Sequence, residues 1–197
     1  MRVAKEGLSY IGTSLVVNIL LLKTATSLGL ASLSLTLFLV FFFRDPKRVT
    51  QFSEEIVLSP ADGRITEAGG NKISVYLSLF DVHVNRSPIA GTVELIKYSP
   101  GRFHPAFGKK ALTENENNLI AIVNGRVKVT VRQIAGRFAR RIVCYCKEKD
   151  TLKQGDRIGM IKFGSCVQIC LPEGSVILAR PGEKVRAGQT ALAALKR

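Results

Sequence analysis

Tryptophan is absent from the 197 residues, histidine occurs only twice, and aromatic residues make up 7% of the chain. A nucleic-acid binder of the stacking kind interleaves aromatics with its basic cluster, so no nucleic-acid partner is expected. Acidic charge is also scarce: 15 Asp and Glu face 29 Lys and Arg, for a formal net charge of +14. That imbalance suits the headgroups of an anionic membrane. The four cysteines, Cys144, Cys146, Cys166 and Cys170, have C-x-C and C-x3-C spacings that lack the zinc-knuckle pattern. No metal site is expected, and reduced thiols fit a cytoplasmic body. A hydrolase elbow, Gly-x-Ser-x-Gly, is missing as well. KFGSCVQIC, residues 162–170, offers only the pair Gly164-Ser165 inside a strand-like run.

What the sequence has in quantity is apolar length near its beginning. Residues 24–43, TATSLGLASLSLTLFLVFFF, carry no charge over 20 residues, enough to span a hydrocarbon core as a helix. Residues 8–22, LSYIGTSLVVNILLL, form a shorter apolar stretch interrupted by Asn18. The second run ends in FFFRDPKR with no small-residue cleavage site, so residues 1–48 are expected to remain as a membrane anchor. Arg2 and Lys5 precede the anchor, and Arg44, Lys47 and Arg48 follow it. Basic residues at both ends favour a helical hairpin with both ends cytoplasmic; a single span plus an interfacial helix is the alternative.

Residues 49–197 are expected to form a β-rich domain. ISVYLSL, TVELIKYS, NLIAIVNGRVKVTVRQIAG, RRIVCYCK, RIGMIKFG, CVQICLP and SVILA are short, rich in Val and Ile, and bounded by turn residues. NGR at 124–126 marks a hairpin. FHPAFGKKALTENENN, 103–118, reads as a loop with a short helical turn. SPADGRI (59–65) and LPEGSVI (171–177) echo one another, and the fold class predicted is mostly β, a barrel-sandwich of short strands preceded by a hydrophobic helical anchor.

Ser165, His83 and Asp62 supply a hydroxyl, an imidazole and a carboxylate, the ingredients of a nucleophile, a base and a group that orients the base. By composition alone each is as readily an ordinary strand serine, a hydrogen-bonding histidine at a strand end and a turn aspartate.

FDVHVNRSPIAG, SPADG, YSPGRFHPAF followed by ENENN, and IAGRFARRIVCYCKEKDTLKQGDRIGMIKFGS together resemble the short, membrane-anchored bacterial phosphatidylserine decarboxylase proenzymes. The likeness covers about residues 38–175. It implies self-cleavage at Gly164-Ser165 into a β chain, 1–164, and an α chain, 165–197. Ser165 would be the nucleophile, His83 the base and Asp62 the group orienting it. Ser165 would then become a covalent pyruvoyl group, the implied cofactor, which forms a Schiff base with the amine of phosphatidylserine and serves as electron sink for loss of CO2. The implied setting is the cytoplasmic side of the inner cell membrane. The implied partners are phosphatidylserine in an anionic membrane, the sister chain from the same proenzyme and, optionally, a second copy as a homo-oligomer.

The chain departs from the family pattern at Cys166, Gln168 and Asn117, and Cys166 invites thiol addition to the new ketone. The motifs also fit an archaetidylserine-type lipid. A further alternative is a biotinyl- or lipoyl-like carrier, which would need Lys162 on an exposed hairpin tip.

Overall fold

The computed structural model describes residues 2–105, 108–125, 127–137, 141–162 and 164–195. It divides into two compact units, Met1–Lys47 and Arg48–Arg197. Arg48, expected in the anchor, thus belongs to the second unit, where it pairs with Asp62.

The first unit is a helical hairpin, Lys5–Thr24 and Thr26–Phe42, turning at Ala25. The lengths reverse the expectation. Lys5–Thr24 has 20 residues and is long and apolar enough to cross a membrane, whereas Thr26–Phe42 has 17. The uncharged run is shortened because Ala25 is extended and Phe43 leaves the helix ahead of Arg44–Asp45, which pairs with Arg2–Val3. Small and polar residues join the helices. A Cβ on Gly29 would lie 2.5 Å from the Leu22 side chain. Asn18 Nδ2 donates to Gly29 O and to Ser32 Oγ, each at 2.7 Å, and Ser14 Oγ bonds Thr36 Oγ1 at 2.7 Å. The outward surfaces carry exposed Leu20, Leu30, Leu35 and Leu37, unlike a buried helix pair of a soluble core.

The second unit is built of strands, because its alternating Val and Ile residues bury one face of a pleated ribbon. Eight antiparallel strands form the main sheet in the order Thr151–Leu152, Gly91–Ser99, Asn117–Val123, Lys128–Ala135, Ser165–Cys170, Lys72–Leu77, Gly63–Gly69 and Lys184–Val185. A second sheet joins Ile142–Cys144, Arg157–Ile161 and Val84–Arg86. A third joins Val176–Ile177, Ala191–Ala194 and Ile56–Leu58. The core holds Ile73, Val75, Leu77, Val131, Val167 and Ile169, all fully buried, each stabilising the fold by roughly 1.5–3 kcal/mol.

Asn117–Val123 and Lys128–Ala135 form the hairpin expected around Asn124 and Gly125, closed by Asn124 N–H donating to Val127 O at 3.2 Å; Arg126 lies outside the described residues. The expected helical turn is Lys109–Glu114. Gly63–Gly69 is a strand that its charges and glycines conceal in the sequence. Gly63 is needed there, because a Cβ would lie 2.1 Å from Tyr76 O.

Candidate active site

Ser165 opens the Ser165–Cys170 strand and is flanked by Leu77 on one side and Ala135 on the other. Alternation sends Ser165, Val167 and Ile169 toward the core and Cys166 and Gln168 to the other face. Ser165 is fully buried, and its Oγ has no hydrogen-bond partner among the described residues. An orphaned buried hydroxyl costs about 1–3 kcal/mol, so its presence calls for a reason. Gly164 precedes it at φ +67°, a left-handed conformation that glycine adopts without steric cost.

His83 is also fully buried. It lies just before the strand Val84–Arg86, rather than at a strand's end. Its Nε2 accepts the Gly164 N–H at 3.3 Å, and its Nδ1 lies 2.9 Å from Asp81 O. An accepting Nε2 leaves the proton on Nδ1, which donates to the Asp81 carbonyl. That carbonyl is held by a tight turn. Asp81 Oδ2 accepts from Ser78 N–H at 2.9 Å and from Ser78 Oγ at 2.6 Å.

Asp62 sits elsewhere in the hydrogen-bond scheme than expected. Its Oδ2 pairs with Arg48 Nη2 at 2.7 Å, and its Oδ1 accepts the Ala187 N–H at 2.8 Å. Asp81 O, not the Asp62 carboxylate, therefore fixes the His83 tautomer. The SPADG turn nevertheless runs alongside the histidine strand, since Arg86 N–H donates to Pro60 O at 2.9 Å.

A row of amides borders the site that the sequence did not single out. Asn118 Nδ2 donates to Gln133 Oε1 at 3.0 Å, and Gln133 Nε2 donates to Asn85 Oδ1 at 2.8 Å. The available signal was Gln133, a polar residue at an inward position of the KVTVRQIA alternation.

The cysteines divide. Cys166 packs with Ile134, Tyr76 and Leu112 on the face away from Ser165, and burial pushes its thiol up to about 12. Cys166 thus faces away from Ser165, and its burial disfavours the thiolate that addition to a ketone would need. Gln168 donates to Ser74 Oγ and Asn117 accepts from Arg132, so these departures from the family pattern are also satisfied away from Ser165. Cys144 Sγ lies 3.7 Å from Cys146 Sγ, and the hydrogen bond from Cys146 lowers the Cys144 thiol to about 6 while raising Cys146. Among the described residues no cluster of three or more His, Cys, Asp or Glu could hold a metal.

His104 bonds Glu114 Oε2 at 3.0 Å in the 103–118 segment and lowers that carboxyl's pKa. Lys162 is buried, with 8% exposure, so it is not the exposed tip a carrier requires.

Comparison with known proteins places the chain in a family. The phosphatidylserine decarboxylase family profile matches residues 35–193. The phosphatidylserine decarboxylase proenzyme of Carboxydothermus hydrogenoformans is 42% identical over 204 residues, covering 98% of this chain and 96% of that one. The proenzyme of the same name from Symbiobacterium thermophilum is 40% identical over 205 residues, covering 98% and 95%. A putative archaetidylserine decarboxylase proenzyme of Methanosarcina barkeri is 43% identical over 166 residues, covering 84% and 81%. Matched over nearly its whole length, the chain belongs to the phosphatidylserine decarboxylase family.

Proposed function

We propose that the chain is a proenzyme that cuts itself at Gly164-Ser165 and then decarboxylates the serine headgroup of phosphatidylserine, releasing CO2 and leaving phosphatidylethanolamine. The carrying observation is the His83 Nε2 lone pair held against the Gly164 amide, one residue from a buried and unpartnered Ser165 hydroxyl.

His83 accepts the Oγ proton as Oγ attacks the Gly164 carbonyl carbon. The Asp81 carbonyl steadies the charge that the ring acquires. The Gly164–Ser165 C–N bond breaks, its nitrogen takes a proton, and an ester to Oγ results. Loss of the Ser165 Cα proton expels Gly164 as a carboxylate, and water then replaces the nitrogen of the resulting dehydroalanine, releasing ammonia and leaving a pyruvoyl terminus. The site fits that group, because Ser165 Oγ is buried without a hydrogen-bond partner among the described residues and Gly164 before it takes a conformation open to the chain break. A pyruvoyl group supplies an electron sink for the carbanion left by decarboxylation.

Asp62 would act through Arg48 and the Ala187 amide, holding the SPADG turn in place. The apolar helices would hold the enzyme in the membrane with its second unit on the cytoplasmic side, and the +14 charge would favour anionic lipid. The Methanosarcina relative keeps a second lipid in view, archaetidylserine, which presents the same phosphoserine head.

Intact mass of the purified protein tests the reading. Two chains are expected, the smaller running from position 165 to Arg197 and containing 33 residues. Ser165→Ala should give one uncut, inactive chain. A Ser165→Ala protein still split at this bond would overturn the assignment.

A further inference from the structure

Besides His83, one line of amides runs through the interior near Ser165. Gln133 lies opposite Val167 and Asn118, while Ser165 lies opposite Ala135, two residues farther along the same face. Gln133 is thus a diagonal neighbour of Ser165, about 7 Å away between backbones. Gly159 makes room for it: a Cβ there would stand 2.7 Å from Gln133 Nε2.

The line has a direction. Asn118 donates to Gln133, and Gln133 donates to Asn85 Oδ1. With Oδ1 engaged, the Asn85 amide presents its two N–H bonds away from Gln133. That Nδ2 is buried and has no partner among the described residues, and the other such atom is Ser165 Oγ. Asn85 lies two residues beyond His83, in the strand Val84–Arg86 that begins immediately after the histidine. His83 accepts from Gly164 N–H, and Asn85 accepts from Gln133, whose strand partner Val167 is two residues beyond Ser165.

Resting on the self-cleavage reading above, we infer that Asn85 Nδ2 is the donor that receives the negative oxygen formed at the Gly164 carbonyl when Ser165 attacks. As the Oγ–C bond forms, the carbonyl π pair moves onto oxygen and the Oγ proton moves to His83. Asn85 donates a hydrogen bond and exchanges no proton. When the Gly164–Ser165 C–N bond breaks, the oxygen reverts to a carbonyl of the ester. A buried donor without a partner in the resting chain is unfavourable there. It regains an interaction only when charge develops, which is the condition for lowering a barrier rather than tightening a ground state.

The test is a time course of cutting by full-length proenzyme made in a cell-free system and resolved on denaturing gels. Asn85→Asp keeps the acceptor that Gln133 uses and replaces the donor with oxygen; Asn85→Ala removes both. Each should cut about 10²–10³-fold more slowly, the usual loss for one oxyanion donor. Thermal melting, followed on the uncut chains, should stay near that of uncut Ser165→Ala. Hydroxylamine, which cleaves esters, should release no extra small chain from either variant, because the ester is formed slowly and does not accumulate. Cutting of Asn85→Asp at the unmodified rate overturns the inference. So does an ester trapped by hydroxylamine, which would place the defect in elimination. So does slow cutting in both variants accompanied by collapsed melting, which makes Asn85 structural. A Ser165→Ala arm separates the failures: if it still cuts, the self-cleavage reading falls, whereas an uncut Ser165→Ala beside normal Asn85 variants removes only the donor.

Discussion

His83 Nε2 accepts the Gly164 backbone N–H at 3.3 Å, so the base faces the residue whose carbonyl must be attacked. The bond also selects the neutral tautomer, because an imidazolium has no lone pair to offer there. Replacing His83 by Ala should leave the chain uncut. His104→Ala should mature normally, since His104 is engaged with Glu114 in the 103–118 segment. Gel analysis of both variants checks this, and the reverse pattern would transfer the role of base to His104.

Asp62 and Arg48 form a nearly buried ion pair at 2.7 Å. Asp62→Ala strands the guanidinium and should cost about 3 kcal/mol, lowering Tm by roughly 6–12 °C. Replacing both partners, Arg48→Met with Asp62→Leu, removes the stranded charge and should recover most of that loss. Self-cleavage in the double variant decides what Asp62 does. Recovery of cutting together with Tm assigns it a structural role, whereas a stable but uncut double variant would make the carboxylate itself part of the reaction.

The Cys144 thiol, lowered to about 6 by its hydrogen bond with Cys146, should be mostly thiolate at pH 7. Iodoacetamide should therefore modify Cys144 first, at a rate that falls as pH drops through about 6. Cys166, raised to about 12 and buried, should react only after denaturation. Peptide mass mapping across pH reads both. A rate at Cys144 that rises only above pH 8 would mean an ordinary thiol there.

Removing residues 1–47 takes away the apolar hairpin and none of the proposed site. Self-cleavage should persist. Activity on phosphatidylserine in bilayers should fall more than activity on the same lipid dispersed in detergent. Equal loss in both assays would show that the hairpin is needed for the fold of the second unit.

The sequence by itself determined whatever depends on local period and composition. An uncharged apolar run needs no distant partner to declare a helix, and Val/Ile alternation about Asn124-Gly125 declares a hairpin. Ser165 and His83 were marked only by the resemblance of FDVHVNRSPIAG and IKFGS to the family's motifs, since by composition each reads as an ordinary strand serine and a hydrogen-bonding histidine. Helix ends were less legible: which of the two apolar stretches was longer turned on Ala25 and Phe43, whose extended and terminal conformations follow from their partners in the hairpin. Only the tertiary structure decided who touches whom. Asp62 is 125 residues from Ala187, and Asn85 is 48 from Gln133. Local sequence carries no record of such pairings, because they are set by strand order and register. The register also placed Cys166 and Ser165, adjacent in the chain, on opposite faces of one sheet. A pleated strand turns each side chain away from its neighbour, and that alternation separates the buried thiol from the hydroxyl beside it.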